Sequence, residues 1–353
     1  MSSQSFPPPL SREECFRELF PREPAFRFRQ VEAALFQPKW KGWADATTLS
    51  KALRDRLSAS MPWTAVTPVA LLKSAKGDTF KALLKTADGL KFETVLMSNA
   101  RDQWTVCVSS QIGCAMGCRF CATGAMGLKR SLLADEIMDQ LRYWRTFLEE
   151  HGDLPSRLSN VVFMGMGEPL NNVENVKRAI AAWTKHTDLG PVHITVSTVG
   201  VLVQLEALLA DKTWPPVRIA ISLHSADQAV REQIVPSTVP DFLTKLADWS
   251  HRYADALGNR RHYLTFEYTL ISGVNDSLQH AKELARYVSK TAVKKVNVIP
   301  LNAVTGKGFS RSDEKSVEAF KAVLLKQGID VTERRTMGDD IAAACGQLAT
   351  EKV

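Results

Sequence analysis

The 353-residue sequence lacks a long apolar run: no stretch approaches the ~18 residues a membrane-spanning helix needs. Its start, Met1-Ser2-Ser3-Gln4-Ser5-Phe6 before Pro7 to Pro9, has neither the basic region nor the apolar segment of a secretory signal, so a cytoplasmic protein is expected. There is no low-complexity tract and no internal repeat of solenoid length, which excludes arrays and disordered tails. Nor is there an excess of acid: 45 Lys and Arg against 38 Asp and Glu leave a net charge of +7, which favours a polyanionic partner. Cysteine is scarce, six in all, but three fall within eight positions. In a reducing compartment, on a chain rich enough in apolar residues (45%) to build its own core, such a cluster points to metal binding or catalysis rather than disulfides.

The hydrophobic pattern divides the chain. Residues 1–62 read as a basic helical accessory module: Ser11 and Glu14 have capping-box spacing, a second apolar period runs through Phe28, Val31, Ala34 and Leu35, and a third helix is expected over Thr48 to Leu57. In it, aromatic and basic residues interleave as Phe26-Arg27-Phe28-Arg29 and Trp40-Lys41-Gly42-Trp43, either an RNA-gripping surface or core aromatics beside solvated arginines. Over residues 63–100 the period becomes two, with turns at Lys76-Gly77-Asp78 and Asp88-Gly89, predicting a small antiparallel linker sheet. Residues 101–327 alternate strand and helix. Strands are expected at Trp104–Ser110, Asn160–Met164, His193–Ser197, Arg218–Leu223, Tyr263–Leu270 and Lys295–Leu301, with the clearest helices at Leu133–Glu149, Val173–His186, Asp241–Leu257, Leu278–Ser289 and Glu314–Lys326. Runs such as Ile219-Ala220-Ile221-Ser222-Leu223 suit strands covered on both faces of a parallel sheet, so the fold class is α/β, a partial (β/α)6 barrel or an open wound sheet. Residues 328–353 form a C-terminal segment.

Cys114-Ala115-Met116-Gly117-Cys118-Arg119-Phe120-Cys121 places three thiols at C-x3-C-x2-C spacing in the loop leaving the first barrel strand. A structural zinc site would need a fourth ligand, and none follows closely. A [4Fe-4S] cube held by three thiolates keeps one iron corner open for an outside ligand. Here the chain resembles the radical S-adenosylmethionine (SAM) superfamily, whose hallmark is this spacing with an aromatic residue before the last cysteine, here Phe120. The resemblance implies a partial (β/α)6 barrel, with Cys114, Cys118 and Cys121 holding the cluster and its free iron chelating SAM. One electron from an external donor then cleaves SAM to a 5′-deoxyadenosyl radical.

Other strand ends carry polar residues. Gly165-Met166-Gly167-Glu168-Pro169 follows the second barrel strand, where a glycine pair lets a ligand approach the backbone. Ser197, Ser222-Leu223-His224 and Asn302 lie at later strand ends; each taken singly reads as a cap or turn residue, and His224 equally as a hydrogen-bonded structural histidine. By resemblance, Gly167 and Glu168 meet the SAM amino group, and Ser197, Ser222, Leu223, His224 and Asn302 are further SAM contacts.

Two more cysteines narrow the likeness. Gly338-Asp339-Asp340, followed by Ile341 to Ala344 and then Cys345-Gly346-Gln347-Leu348, together with Cys107-Val108-Ser109-Ser110-Gln111-Ile112-Gly113-Cys114, is similar to signatures of the RlmN/Cfr family of dual-cysteine radical SAM ribosomal RNA adenine methyltransferases. Adenine C2 and C8 have no lone pair with which to attack a sulfonium methyl, so the family uses a radical route. The resemblance implies that Cys345 takes a methyl group from one SAM, and that the radical made from a second SAM activates that methyl for addition to adenine. Cys107 then resolves the protein–RNA adduct by forming a transient disulfide that a reductant reopens. It also implies Glu93 as the base that removes the ring proton, with Cys107 a rival base and a solvated strand carboxylate the plainer reading of Glu93. Cys15 reads as a bystander.

The expected target is C2 of adenine 2503 in 23S ribosomal RNA, with adenine 37 of transfer RNA as a second substrate, acted on by a monomer. Val199 stands where a serine is common in the family's Ser-Thr-Ser-Gly turn, and Ala122-Thr123-Gly124-Ala125-Met126-Gly127-Leu128-Lys129 also resembles C8-methylating, antibiotic-resistance members, which leaves C8 open. A radical SAM enzyme on a small molecule, or a non-catalytic iron–sulfur RNA-binding protein, would leave Cys107 and Cys345 dispensable.

Overall fold

The computed structural model describes residues 9–99, 101–257, 264–304 and 306–350. The first eight residues, and Tyr263 at the start of one expected strand, lie outside the described residues. Three helices open the chain: α1 (Arg12–Leu19), α2 (Ala25–Ala34) and α3 (Lys51–Ser60). Helix α1 starts where the capping box requires, Ser11 N donating to Glu14 Oε2 at 2.8 Å while Glu14 N donates to Ser11 Oγ at 3.2 Å. Helix α3 begins at Lys51 rather than Thr48 because Ser50 is extended and caps it, accepting from Leu53 N.

The aromatic–basic motifs divide between the two readings. Trp43 is buried with its indole N–H donating to Met61 O at 2.6 Å, and Phe28 packs on the core, whereas Phe26 and Arg29 face solvent. Arg12 is buried where this module meets the helix that follows the cysteine loop. It pairs with Asp139 and Asp135 there, and Arg142 of the same helix reaches Leu35 O at 2.8 Å.

The antiparallel strands β1 (Val66–Lys73), β2 (Thr79–Thr86) and β3 (Lys91–Ser98) lead into β4 (Trp104–Cys107). A short hairpin, β5 (Gln111–Gly113) and β6 (Leu128–Ser131), brackets the cysteine loop and the one-turn helix α4 (Ala122–Ala125). The alternation then runs α5 (Ala134–Glu150), β7 (Leu158–Phe163), α6 (Val173–His186), β8 (Ile194–Thr198), α7 (Leu202–Ala210), β9 (Arg218–Ser222), α8 (Gln228–Ile234), α9 (Phe242–Leu257), β10 (Leu264–Leu270), α10 (Leu278–Val288), β11 (Lys295–Pro300), α11 (Glu314–Lys326) and β12 (Asp330–Glu333).

Two features of the sheet differ from the sequence reading. The linker strands are not a separate sheet: β3 pairs antiparallel with β4, giving one open sheet in the order β1-β2-β3-β4-β7-β8-β9-β10-β11-β12, parallel from β4 onward. The segment after residue 327 also supplies a seventh parallel strand, β12, paired with β11. The expected boundaries at 100 and 327 are therefore not breaks in the sheet. The wound part is an open, partial barrel that puts the C-terminal ends of β4, β7, β8, β9, β10 and β11 on one rim. Buried Trp144, Trp183 and Trp249 on α5, α6 and α9 fix the outer helices against it. No helix among the described residues is long and apolar enough to cross a membrane.

Candidate active site

At that rim lies a cavity of about 160 Å³ that opens to solvent. Cys114, Cys118, Cys121, Gly167, Glu168, Ser197, Ser222, His224, Asn302 and Cys345 all line it, drawn from segments more than 200 residues apart. Leu223 does not: its side chain is buried, and its backbone serves the fold, the N–H donating to Glu267 O and the carbonyl accepting from Arg231.

The loop that carries the three thiols is built by the hairpin. Cys114 N donates to Gly127 O at 3.1 Å, and a Cβ on Gly113 would lie 1.8 Å from that oxygen. At the next turn a Cβ on Gly124 would crowd the Cys118 backbone, at 2.9 Å from its carbonyl oxygen. Phe120 is buried edge-on to the His224 ring, 5.0 Å between centroids. It shares an apolar patch with Cys118, Ile234, Val235, Ile271 and Leu301. Burial pushes the Cys114 thiol up to about 11 and raises Cys118 further, in each case opposing a free thiolate.

The Gly-Met-Gly-Glu-Pro turn answers first to the protein. Gly165 packs against Val108 and Ser109, and a Cβ there would lie 2.7 Å from Val108 O. Gly167 has φ +98°, and its Cβ would fall 2.5 Å from Gln111 Cβ. The glycine pair thus lets the end of β7 zip against residues 108–111, through Gly165 N to Val108 O and Ser110 N to Met166 O, and still lines the cavity. Glu168 joins three segments: its N–H donates to Gln111 Oε1, and its carboxylate accepts from Leu170 N and Val199 N. Burial pushes this carboxyl up to about 7, against those hydrogen bonds.

Ser197 and Ser222 face each other, Oγ to Oγ at 3.3 Å. His224 adopts φ +59°, and its Nδ1 accepts from Thr269 N at 3.1 Å. Burial, helped by Arg231, pushes its pKa down to about 3; the neutral ring therefore carries its proton on Nε2. The structural-histidine reading and the cavity-lining reading of His224 both hold. Asn302 Nδ2 donates to Cys345 O at 3.2 Å, so this residue also holds the C-terminal segment.

Cys107, at the end of β4, is buried beside Cys345. Burial, then the nearby Cys345, pushes its thiol up to about 12, with Arg334 opposing. Cys345 is ringed by protein yet open to solvent through the cavity; burial raises its thiol and Arg334 lowers it. Both are free thiols.

Glu93 stands elsewhere. Both faces of β3 are covered, and Glu93 is fully buried, which overturns the solvated-carboxylate reading. Its carboxylate pairs with Lys81 Nζ at 2.9 Å and accepts from Ala349 N at 2.9 Å, so it lines a neighbouring cavity rather than this one.

Sequence reasoning missed Glu267 and Arg334. Glu267 on β10 accepts from Asn297 at 2.7 Å and pairs with Arg334 at 3.4 Å; Arg334, just past β12, lies near both Cys107 and Cys345. A carboxylate inside the apolar run Leu264-Thr265-Phe266-Glu267-Tyr268 was the available signal, since a buried charge demands a partner.

A partial α/β barrel whose rim carries three cysteines on one loop defines the radical SAM class, and the profile of the radical SAM superfamily matches residues 108–288. A probable dual-specificity RNA methyltransferase RlmN of Moorella thermoacetica is 41% identical over 330 residues, covering 92% of this chain and 91% of that one. A dual-specificity RNA methyltransferase RlmN of Solidesulfovibrio magneticus is 41% identical, covering 93% and 92%. The crystal structure of a radical SAM methyltransferase from Sphaerobacter thermophilus superposes with a TM-score of 0.86 at 37% identity, over 97% of this chain and 98% of that one. The chain belongs to the RlmN family of radical SAM methyltransferases, and its cofactors are a [4Fe-4S] cluster and SAM.

The residues present fit those groups. Three free thiols on one loop line the same cavity. Beyond the thiols, the cavity offers carboxylate, hydroxyl and imidazole groups to a polar ligand.

Proposed function

We propose that this protein methylates C2 of an adenine in RNA, adenine 2503 of 23S ribosomal RNA and adenine 37 of transfer RNA, consuming two SAM per turnover. The observation that carries the reading is Cys345 on the wall of the cavity that also holds Cys114, Cys118 and Cys121, with a second free thiol, Cys107, buried beside it. A radical SAM enzyme acting on a small molecule has no need of that second thiol pair. The RNA-directed names of the relatives and the +7 charge support a polyanionic substrate.

In this reading Cys114, Cys118 and Cys121 hold the cluster, while Gly167, Glu168, Ser197, Ser222, His224 and Asn302 surround SAM. Leu223 contributes only by fixing the backbone ahead of His224. Cys345 is the covalent nucleophile: its thiolate, favoured by Arg334, attacks the methyl carbon of one SAM, whose S–CH3 bond breaks to release S-adenosylhomocysteine, and becomes a thioether. When bound, the cluster and a second SAM supply the radical that takes a hydrogen atom from this S-methyl group. Once the methylene carbon is joined to adenine, the ring radical so formed must give up one electron, which the oxidised cluster would take back, and its ring proton, which a base must take. The nearness of Cys107 to Cys345 supports Cys107 in that role, with Glu93, held by Lys81 and Ala349, the rival base. Cys107 then attacks the Cys345 sulfur: the S–S bond forms, the S–C bond breaks, and its electron pair leaves on the product carbon, which is protonated to methyl.

An external electron donor and thiol reductant, a cytoplasmic setting and a monomeric enzyme belong to the same proposal. The test is anaerobic incubation of the cluster-loaded protein with SAM, reductant and 23S RNA fragments, followed by nucleoside mass spectrometry against both standards. 2-Methyladenosine is expected; 8-methyladenosine would reassign the carbon, and neither would refute the reading.

A further inference from the structure

Residues 338–349 form a strap with left-handed corners at Gly338 (φ +65°), Ala342 (φ +50°) and Gly346 (φ +85°), and Cys345 sits between the last two. The strap is a thin partition. Cys345, Gly346 and Leu348 line the cavity described above, whereas Ala342, Gln347 and Ala349 line a second cavity of about 410 Å³ behind it. Ala343 and Leu348 pack on the core, but Cys345 between them is exposed to the cavity, and packing alone does not fix the depth at which its sulfur projects. Hydrogen bonds must do so.

The floor of the second cavity explains an otherwise costly feature of the linker sheet. Lys81 on β2 and Glu93 on β3 form a fully buried ion pair, an arrangement that well-packed apolar residues commonly match in stability. Here each charge spends a further valence on the strap. Lys81 Nζ donates to Ala342 O at 3.2 Å, at a non-glycine corner whose conformation L-residues resist, and Glu93 Oε2 accepts from Ala349 N at 2.9 Å. The pair thus grips the strap on either side of Cys345. Further bonds complete the hold: Ala75 N to the Asp340 carboxylate at 2.7 Å, Ala122 N to Gly346 O, Thr123 Oγ1 to Leu348 O and Asn302 Nδ2 to Cys345 O.

We infer that Lys81 and Glu93 are positioning residues that hold the Cys345 strap at its working depth between the two cavities. This rests on the methyl-carrier reading of Cys345, although the hold itself does not. Cys345 must meet a methyl donor, an adenine and Cys107 in turn, and a charged clamp at both flanks confines its sulfur to that small volume. Charge-assisted hydrogen bonds are the stronger ones, and the pair supplies one on each side of Cys345.

The test is hydrogen exchange of the anaerobically purified holoenzyme, read on peptides spanning Asp339–Ala349, in Lys81→Met and Glu93→Gln variants. Strap peptides are expected to exchange about tenfold faster or more, with peptides from β8 to β11 unchanged. In the methylation assay kcat should fall while KM for SAM stays put. Exchange of the strap at the wild-type rate in a folded variant would overturn the inference. Should burial of a lone charge prevent folding, Ala349→Pro removes the N–H that Glu93 holds and leaves the ion pair intact, with the same expected and overturning results. Absence of methyladenosine in the wild type would instead count against the proposed function, and the exchange rates would still decide the clamp.

Discussion

Gly167→Ala separates two roles for the glycine turn after β7. The added Cβ would lie 2.5 Å from Gln111 Cβ and 2.7 Å from Gln111 N, so the strand end and the approach to the cysteine loop must part. A non-glycine residue at φ +98° adds strain of about 1–3 kcal/mol, and forced overpacking about 1–3 kcal/mol more. The sum is about 2–6 kcal/mol of lost stability without any ligand. With an unfolding entropy of roughly 2.1 cal/mol/K per residue, 353 residues give about 0.7 kcal/mol/K, and the midpoint should fall by about 3–8 °C. Scanning calorimetry of the anaerobic protein without SAM reads this directly. A midpoint within about 1 °C of wild type, accompanied by lost SAM binding, would show that the glycine serves the ligand and that the packing argument is mistaken.

Three further outcomes follow from named contacts. His224 is held far below its ordinary pKa of 6.5, at about 3, so it contributes stability that is complete above pH 6.5 and lost as pH falls from there toward 3. His224→Asn, which tolerates positive φ and does not titrate, should flatten stability against pH across that window; an unchanged slope would refute the assignment. Cys107→Ala should accumulate a covalent protein–RNA species visible on denaturing gels, and free methylated RNA at the normal rate would exclude a resolving role. Arg12→Met strips Asp135 and Asp139 of a buried partner and should cost about 3–5 kcal/mol in denaturant unfolding, a loss below about 1 kcal/mol contradicting it.

What could be read from the sequence was what is local. Val173–His186 and Glu314–Lys326 end where their apolar period ends, and the Ser11–Glu14 box starts α1 as written. The cluster thiols share one loop, so their spacing speaks without a fold. Strand β12 escaped notice because Asp330-Val331-Thr332-Glu333 is a short, polar edge strand with little alternation to detect. Helix α8 is only two turns long. The burial of Glu93 went unseen for a different reason. Its burial depends on Ala349, 256 residues away, and no periodicity on β3 announces a strap laid across it. Leu223 fell in with the polar strand-end residues by position, but only its backbone takes part.

The central claim is that the methyl group reaches RNA by way of Cys345. Protein whose Cys345 has first been loaded from deuterium-labelled SAM, then freed of it and given RNA, reductant and unlabelled SAM, answers this in one turnover. The account predicts that the first methyladenosine released carries the deuterium. An unlabelled first product, with the label still on Cys345, would contradict it.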